Sequence, residues 1–122
     1  MTSSERATQI WPVLALAARN RQVLTYEILG QLIAVPRQGL GQLLEPIQSY
    51  CLLHELPPLS ALVVSSKTGL PSPGFVAVDA VPAAQMAVFN FDWSEIGCPN
   101  PEAFASAVAK LPSNGRPEAV RG

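Results

Sequence analysis

Apolar residues at Ile10, Val13, Leu14 and Ala17 return every three or four positions, the spacing of one helix face. Residues 2–6 ahead of them are polar and read as a frayed end. Pro12 lies within the run; lacking an N–H and crowding the preceding turn, it either opens this helix or kinks it. Residues 19–22 form a polar connector. Thr25 has the chemistry of an N-cap, because its hydroxyl can accept from a free N–H one turn later. Ile28, Leu29, Leu32 and Ile33 then make the stripe of a short second helix, which Pro36 stops. A third helix is expected over 37–54, where Leu40, Leu43, Leu44, Ile47, Tyr50 and Cys51 share a face and Pro46 kinks or splits the rod. Gly39 and Gly41 each weaken that helix by about 1 kcal/mol relative to Ala. They therefore imply a close approach, either of another helix or of a nucleic-acid backbone.

Leu56-Pro57-Pro58 closes the helical region. Residues 60–66 have strand character from Val63 and Val64. Residues 67–74 are turn-rich, with Gly69 suited to the left-handed conformation, and 75–81 read as a returning strand, making a hairpin with a long loop. Val88, Phe89, Phe91 and Trp93 mark a third strand over 83–93. Asn100-Pro101-Glu102 is a helix start of cap, proline and acid, and that helix runs to about Lys110 with Phe104, Val108 and Leu111 on one side. Residues 112–122 read as a disordered tail. Three helices followed by a hairpin are the plan of a winged helix. The fold class expected is thus α+β: one domain over 1–111, a winged helix with a C-terminal strand and helix extension.

Composition narrows the functional classes. In 122 residues, 48% hydrophobic and 14% charged content excludes disorder of the whole chain. A net charge of −1 excludes a strongly basic nucleic-acid coat and an acidic solvating tail. Two cysteines cannot build a disulfide scaffold. Cys51 and His54 lie three apart and Cys98 is the one other cysteine, too few ligands for a metal site, so no metal or other cofactor is expected. The apolar run 10–18, with Ala15-Leu16-Ala17 within it as a small-residue cleavage site, superficially resembles a signal-peptide core. Glu5 offsets Arg6 ahead of it and Pro12 interrupts it, so it reads instead as the first buried helix of a cytoplasmic protein. No run is long enough for a membrane span. Ser60, His54 and Asp92 can be drawn as a triad, but no nucleophile motif supports one. Phosphate-loop, dinucleotide and zinc-finger spacings are missing from the sequence.

The stretch from Trp11 to Phe75 resembles the DNA-binding half of the O6-alkylguanine DNA alkyltransferases and their non-catalytic alkyltransferase-like relatives. That family carries a Trp in its first helix and a Ser/Thr-Tyr-Gly-Glu-Leu-Ala opening of the next; here stand Trp11 and Thr25-Tyr26-Glu27-Ile28-Leu29-Gly30. Its Gly-x-Pro turn and Ala-Arg-Ala-Val-Gly recognition helix are matched by Ala34-Val35-Pro36 and Arg37-Gln38-Gly39-Leu40-Gly41. Its Pro-Cys-His-Arg-Val-Val segment is matched by Leu59-Ser60-Ala61-Leu62-Val63-Val64, and its glycine-rich wing by Gly69, Gly74 and Phe75. About half the chain is covered, and the shared order of the motifs carries more than any one of them.

The resemblance implies a winged helix that docks on duplex DNA. Tyr26 would touch a phosphate, Arg37, Gln38 and Gln42 would open the reading helix, and Lys67 would sit on the wing. Each also has a plainer reading, as a half-buried tyrosine, solvated helix residues and an ordinary turn lysine. The family's nucleophilic Cys, His and Arg are replaced by Ser60, Ala61 and Leu62. Alkyl transfer needs a thiolate made by a neighbouring base, so the expectation is a protein that binds DNA without enzymatic activity. Arg19, Arg21, Arg37 and Lys67 give at most four phosphate partners, hence a salt slope no steeper than about −3.6. Glu27, Glu45 and Glu55 bring the same region close to neutrality, so affinity would be modest. The alternative is a protein-interaction module on the same scaffold, a homodimer or partner-binding protein using Phe89, Phe91 and Trp93, unless those aromatics and Phe104 are core.

Overall fold

Thr2 Oγ1 accepts the Glu5 N–H at 3.1 Å while Glu5 Oε1 accepts the Thr2 N–H at 2.8 Å, closing a capping box at the start of α1 (Ser3–Arg19). The end expected to fray is thus a capped helix start in this computed structural model, which describes residues 2–71 and 80–111. Pro12 lies inside α1, on its exposed side. The N–H that Pro12 lacks would have bonded the Thr8 carbonyl. Cys98 Sγ stands 3.7 Å from that oxygen as a weak substitute donor. The opposite face buries Ala7, Ile10, Trp11, Leu14, Ala17 and Ala18.

The strand β1 (Leu24–Thr25) runs parallel to β2 (Val63–Val64), with Leu24 opposite Val63 and Thr25 opposite Val64. Thr25 also caps α2 (Tyr26–Ile33), its hydroxyl accepting the Ile28 N–H at 3.1 Å, as its position predicts. The buried face of α2 is Tyr26, Leu29, Gly30 and Ile33. Ile28 and Leu32, expected in the core stripe, are 46% and 60% exposed. The helix turns Tyr26 inward instead, so only Leu29 and Ile33 of the expected stripe reach the core. Past Ile33 the chain reverses through left-handed Ala34; the Val35 N–H bonds the Gly30 carbonyl at 2.9 Å, and Arg6 Nη1 donates to the Ile33 carbonyl at 2.8 Å.

The close approach inferred from glycines occurs at Gly30, not at Gly39 or Gly41. A Cβ on Gly30 would stand 2.6 Å from the Val35 carbonyl oxygen, whereas no described neighbour lies within 4 Å of one on Gly41. A 3₁₀ turn (Arg37–Gly39) leads into α3 (Leu40–Leu53), and buried Pro46 sits within α3. Only Val63 and Val64 of the expected strand 60–66 are extended, because a 3₁₀ turn (Leu59–Leu62) takes up its first half. The loop after β2 folds back on itself: the Ser65 N–H reaches the Leu70 carbonyl at 2.9 Å, and Gly69, at φ 71°, reaches the Ser65 carbonyl at 2.8 Å. Most of the expected returning strand, residues 75–79, falls outside the described residues, as does the expected tail 112–122. Val81, counted in that strand, opens a helix.

The expected third strand over 83–93 is instead α4 (Val81–Asn90) followed by a 3₁₀ turn (Trp93–Glu95). The reason is local. Pro82 suits a helix's first turn, and Ala83, Ala84, Gln85, Met86 and Ala87 are strong helix formers that outweigh the β preference of the residues after them. The expected start of α5 (Pro101–Lys110) is found, with Asn100 Oδ1 accepting the Ala103 N–H at 2.8 Å. Its inward face is Phe104 and Ala107, with Val108 only partly covered and Leu111 38% exposed.

Trp11 is the hub of the core. It meets Tyr50 of α3, Trp93 and Phe104 of α5 with ring centroids 5.7, 5.6 and 5.8 Å away. The architecture among the described residues is a mixed fold of helices with one small parallel sheet. Among the described residues no helix is long and apolar enough to cross a membrane.

Candidate functional site

The reversal at Ala34 and the β1–β2 pairing bring the start of α2, the start of α3 and the loop after β2 to one face. Between them lies an open cleft of about 380 Å³. Tyr26 contributes one wall, Arg37, Gln38 and Gly41 another, and Ser65, Thr68 and Pro71 close the third side. Three of the five residues expected to bind nucleic acid, Tyr26, Arg37 and Gln38, are thus brought together. Gln42 and Lys67 are exposed but do not line the cleft; Gln42 follows Gly41 on α3, and Lys67 lies between Ser65 and Thr68 on the loop.

The Arg37 guanidinium is held from two sides. Its central carbon stands 5.7 Å from the Tyr26 ring centroid, and its Nε lies 2.9 Å from Glu27 Oε2. Both side chains of that ion pair are 47% exposed, so the charge is shared with Glu27 and still reachable from solvent. Tyr26 is 7% exposed and lines the cleft, so its ring is largely held by the core. Ser65 Oγ accepts the Lys67 N–H and Thr68 Oγ1 accepts the Leu70 N–H, each at 3.1 Å. A hydroxyl used as an acceptor keeps its proton to donate, so two donors line this side of the cleft. The serines beside Lys67 carried a sequence signal for Ser65 but not for Thr68. The Glu27–Arg37 pair carried none, because the partners sit on opposite sides of a turn.

The other candidate chemistry does not assemble. Ser60 is buried under α4, where Gln85 Nε2 donates to the Ala61 carbonyl at 3.0 Å, and Ser60 Oγ has no partner among the described residues. The His54 ring packs against Tyr50 at a tilt of 41°, with centroids 4.3 Å apart. Asp92 takes hydrogen bonds from the hydroxyl and backbone N–H of Ser94, which with the Arg19 charge hold its carboxyl below the usual carboxylate range. No relay joins the three. Burial pushes the Cys51 thiol up to about 12, so it stays a neutral core group, and desolvation also raises exposed Cys98. Among the described residues no three His, Cys, Asp or Glu side chains group as metal ligands.

A second cleft, of about 300 Å³, lies between the end of α1 and the α4–α5 connection. Leu16, Arg19, half-buried Phe89 and Phe91, and the Asp92–Ser94 pair line it. Trp93 and Phe104, weighed in the sequence as either surface or core, are core, at 6% and 0% exposure. Comparisons with protein-family models, curated proteins and solved structures return no match to this chain.

Proposed function

We propose that this chain binds duplex DNA without catalysing a reaction, similar to an alkyltransferase-like protein. The helices α2 and α3 form the helix-turn-helix, and the loop after β2 serves as the root of the wing. The observation that carries the reading is the single cleft in which Tyr26, Arg37 and Gln38 meet the Ser65 and Thr68 hydroxyls. An aromatic wall, one reachable guanidinium, an amide and two hydroxyls suit a sugar–phosphate backbone and an adjoining base edge. Burial of Ser60 with no base bonded to it among the described residues supports binding rather than group transfer.

Fluorescence anisotropy with a labelled duplex at low salt tests this. Binding should weaken with salt at a slope no steeper than about −3.6. It should fall severalfold in the Arg37→Ala/Lys67→Ala variant. No affinity, or affinity unchanged in that variant, would end the proposal.

The cleft around Phe89 and Phe91, with Leu16 61% exposed at its edge, favours a second reading as a protein-interaction module. Its anchors are Phe89 and Phe91; Trp93 belongs to the core. Dimerisation or partner capture lost in Phe91→Ala without DNA affinity would support that reading instead.

A further inference from the structure

We propose that Glu27 limits how firmly the cleft holds a phosphate, by competing for Arg37. The inference rests on the DNA-binding reading and adds a residue that weakens it. Glu27 Oε2 lies 2.9 Å from Arg37 Nε, on the cation that lines the cleft beside Tyr26. A phosphate that bonds the same guanidinium brings a second anion within about 5 Å of this carboxylate, a distance at which like charges still repel appreciably near a protein surface.

Glu27 has two opposing effects. It steadies the Arg37 side chain, which favours binding, and it shares the charge and repels the incoming anion, which opposes binding. Both side chains are about half exposed, and exposed ion pairs contribute little order or stability. The steadying effect is therefore the smaller, particularly since the Tyr26 ring already supports the guanidinium from another side. Repulsion and charge sharing decide the sign. Glu27 is thus a determinant of affinity and salt response in the cleft.

The test is a duplex titration of four proteins: the natural chain, Glu27→Gln, Arg37→Gln and the double variant. Glu27→Gln should bind roughly fivefold more tightly, and its salt slope should steepen by up to about 0.9, one further phosphate's worth. In the Arg37→Gln background the same substitution should give a clearly smaller gain, because the contested cation is gone and only direct repulsion of the phosphate is relieved. Equal gains in both backgrounds would mean a general charge effect and overturn the inference while leaving DNA binding intact. No gain from Glu27→Gln would overturn it too. Absence of binding by all four would remove the DNA reading itself. Thermal melts of each variant confirm that the half-exposed substitutions leave the fold in place.

Discussion

The Trp11 and Trp93 indoles meet edge to face, with centroids 5.6 Å apart and planes 84° apart. Trp93 Nε1 also donates to the Val88 carbonyl at 2.9 Å, tying the 3₁₀ turn after α4 to α4 itself. Truncating Trp93 removes a buried ring and the closer of two donors to that carbonyl, leaving it only the Phe91 N–H at 3.4 Å. Trp93→Ala should therefore lose about 3–5 kcal/mol of stability by urea denaturation. A loss below about 1 kcal/mol would show that the ring is not part of the core.

Two glycines should respond in opposite directions. Gly30→Ala places a methyl 2.6 Å from the rigid Val35 carbonyl, so the α2–α3 turn must shift, with an expected loss of about 1–3 kcal/mol. Gly41→Ala meets no described atom within 4 Å on α3, so helix propensity governs and stability should rise by up to about 1 kcal/mol. Paired chemical denaturation curves check both signs.

Thr25 joins the sheet to α2. It pairs with Val64 and caps α2 through the Ile28 N–H. Thr25→Ala should cost about 1 kcal/mol, whereas Thr25→Ser, which keeps the hydroxyl, should recover most of it. Equal losses for the two variants would argue that the cap is not what matters.

Alkaline pH should expose the burial of Cys51. Its folded-state value of about 12 lies above the ordinary 9.0. Below about pH 9 the thiol is protonated in both states and the stability from its burial is fully present. Between about pH 9 and 12 the unfolded thiol ionises and the folded one does not, so stability falls as pH rises, by at most about 1.4 kcal/mol per pH unit for this one group. Urea midpoints measured from pH 8 to 11 should decline more steeply for the natural chain than for Cys51→Ala. Parallel declines would remove Cys51 as the cause.

Local features of this fold are legible in the sequence because their causes are local. The Thr25 and Asn100 caps, left-handed Gly69 and the break before Pro36 each depend on a few adjacent residues. The segment 83–93 misleads because Val88, Phe89, Phe91 and Trp93 suggest a strand, while the decisive residues are the helix formers before them. Pairing of Leu24 with Val63 joins segments distant in the chain, and no periodicity within either reveals it. Legibility of the cleft is divided in the same way. Tyr26, Arg37 and Gln38 stand out by residue type and order, but the inclusion of Thr68 and Pro71, and the pairing of Arg37 with Glu27, depend on how three segments fold together.

Backbone amide NMR shifts recorded during titration with a short duplex at low salt address the proposed interface directly. Shifts should concentrate at Tyr26, Gln38, Gly41, Ser65 and Thr68, and fade as salt is raised. Shifts centred on Leu16, Phe89, Phe91 and Ser94, or none anywhere, would contradict DNA binding through this cleft.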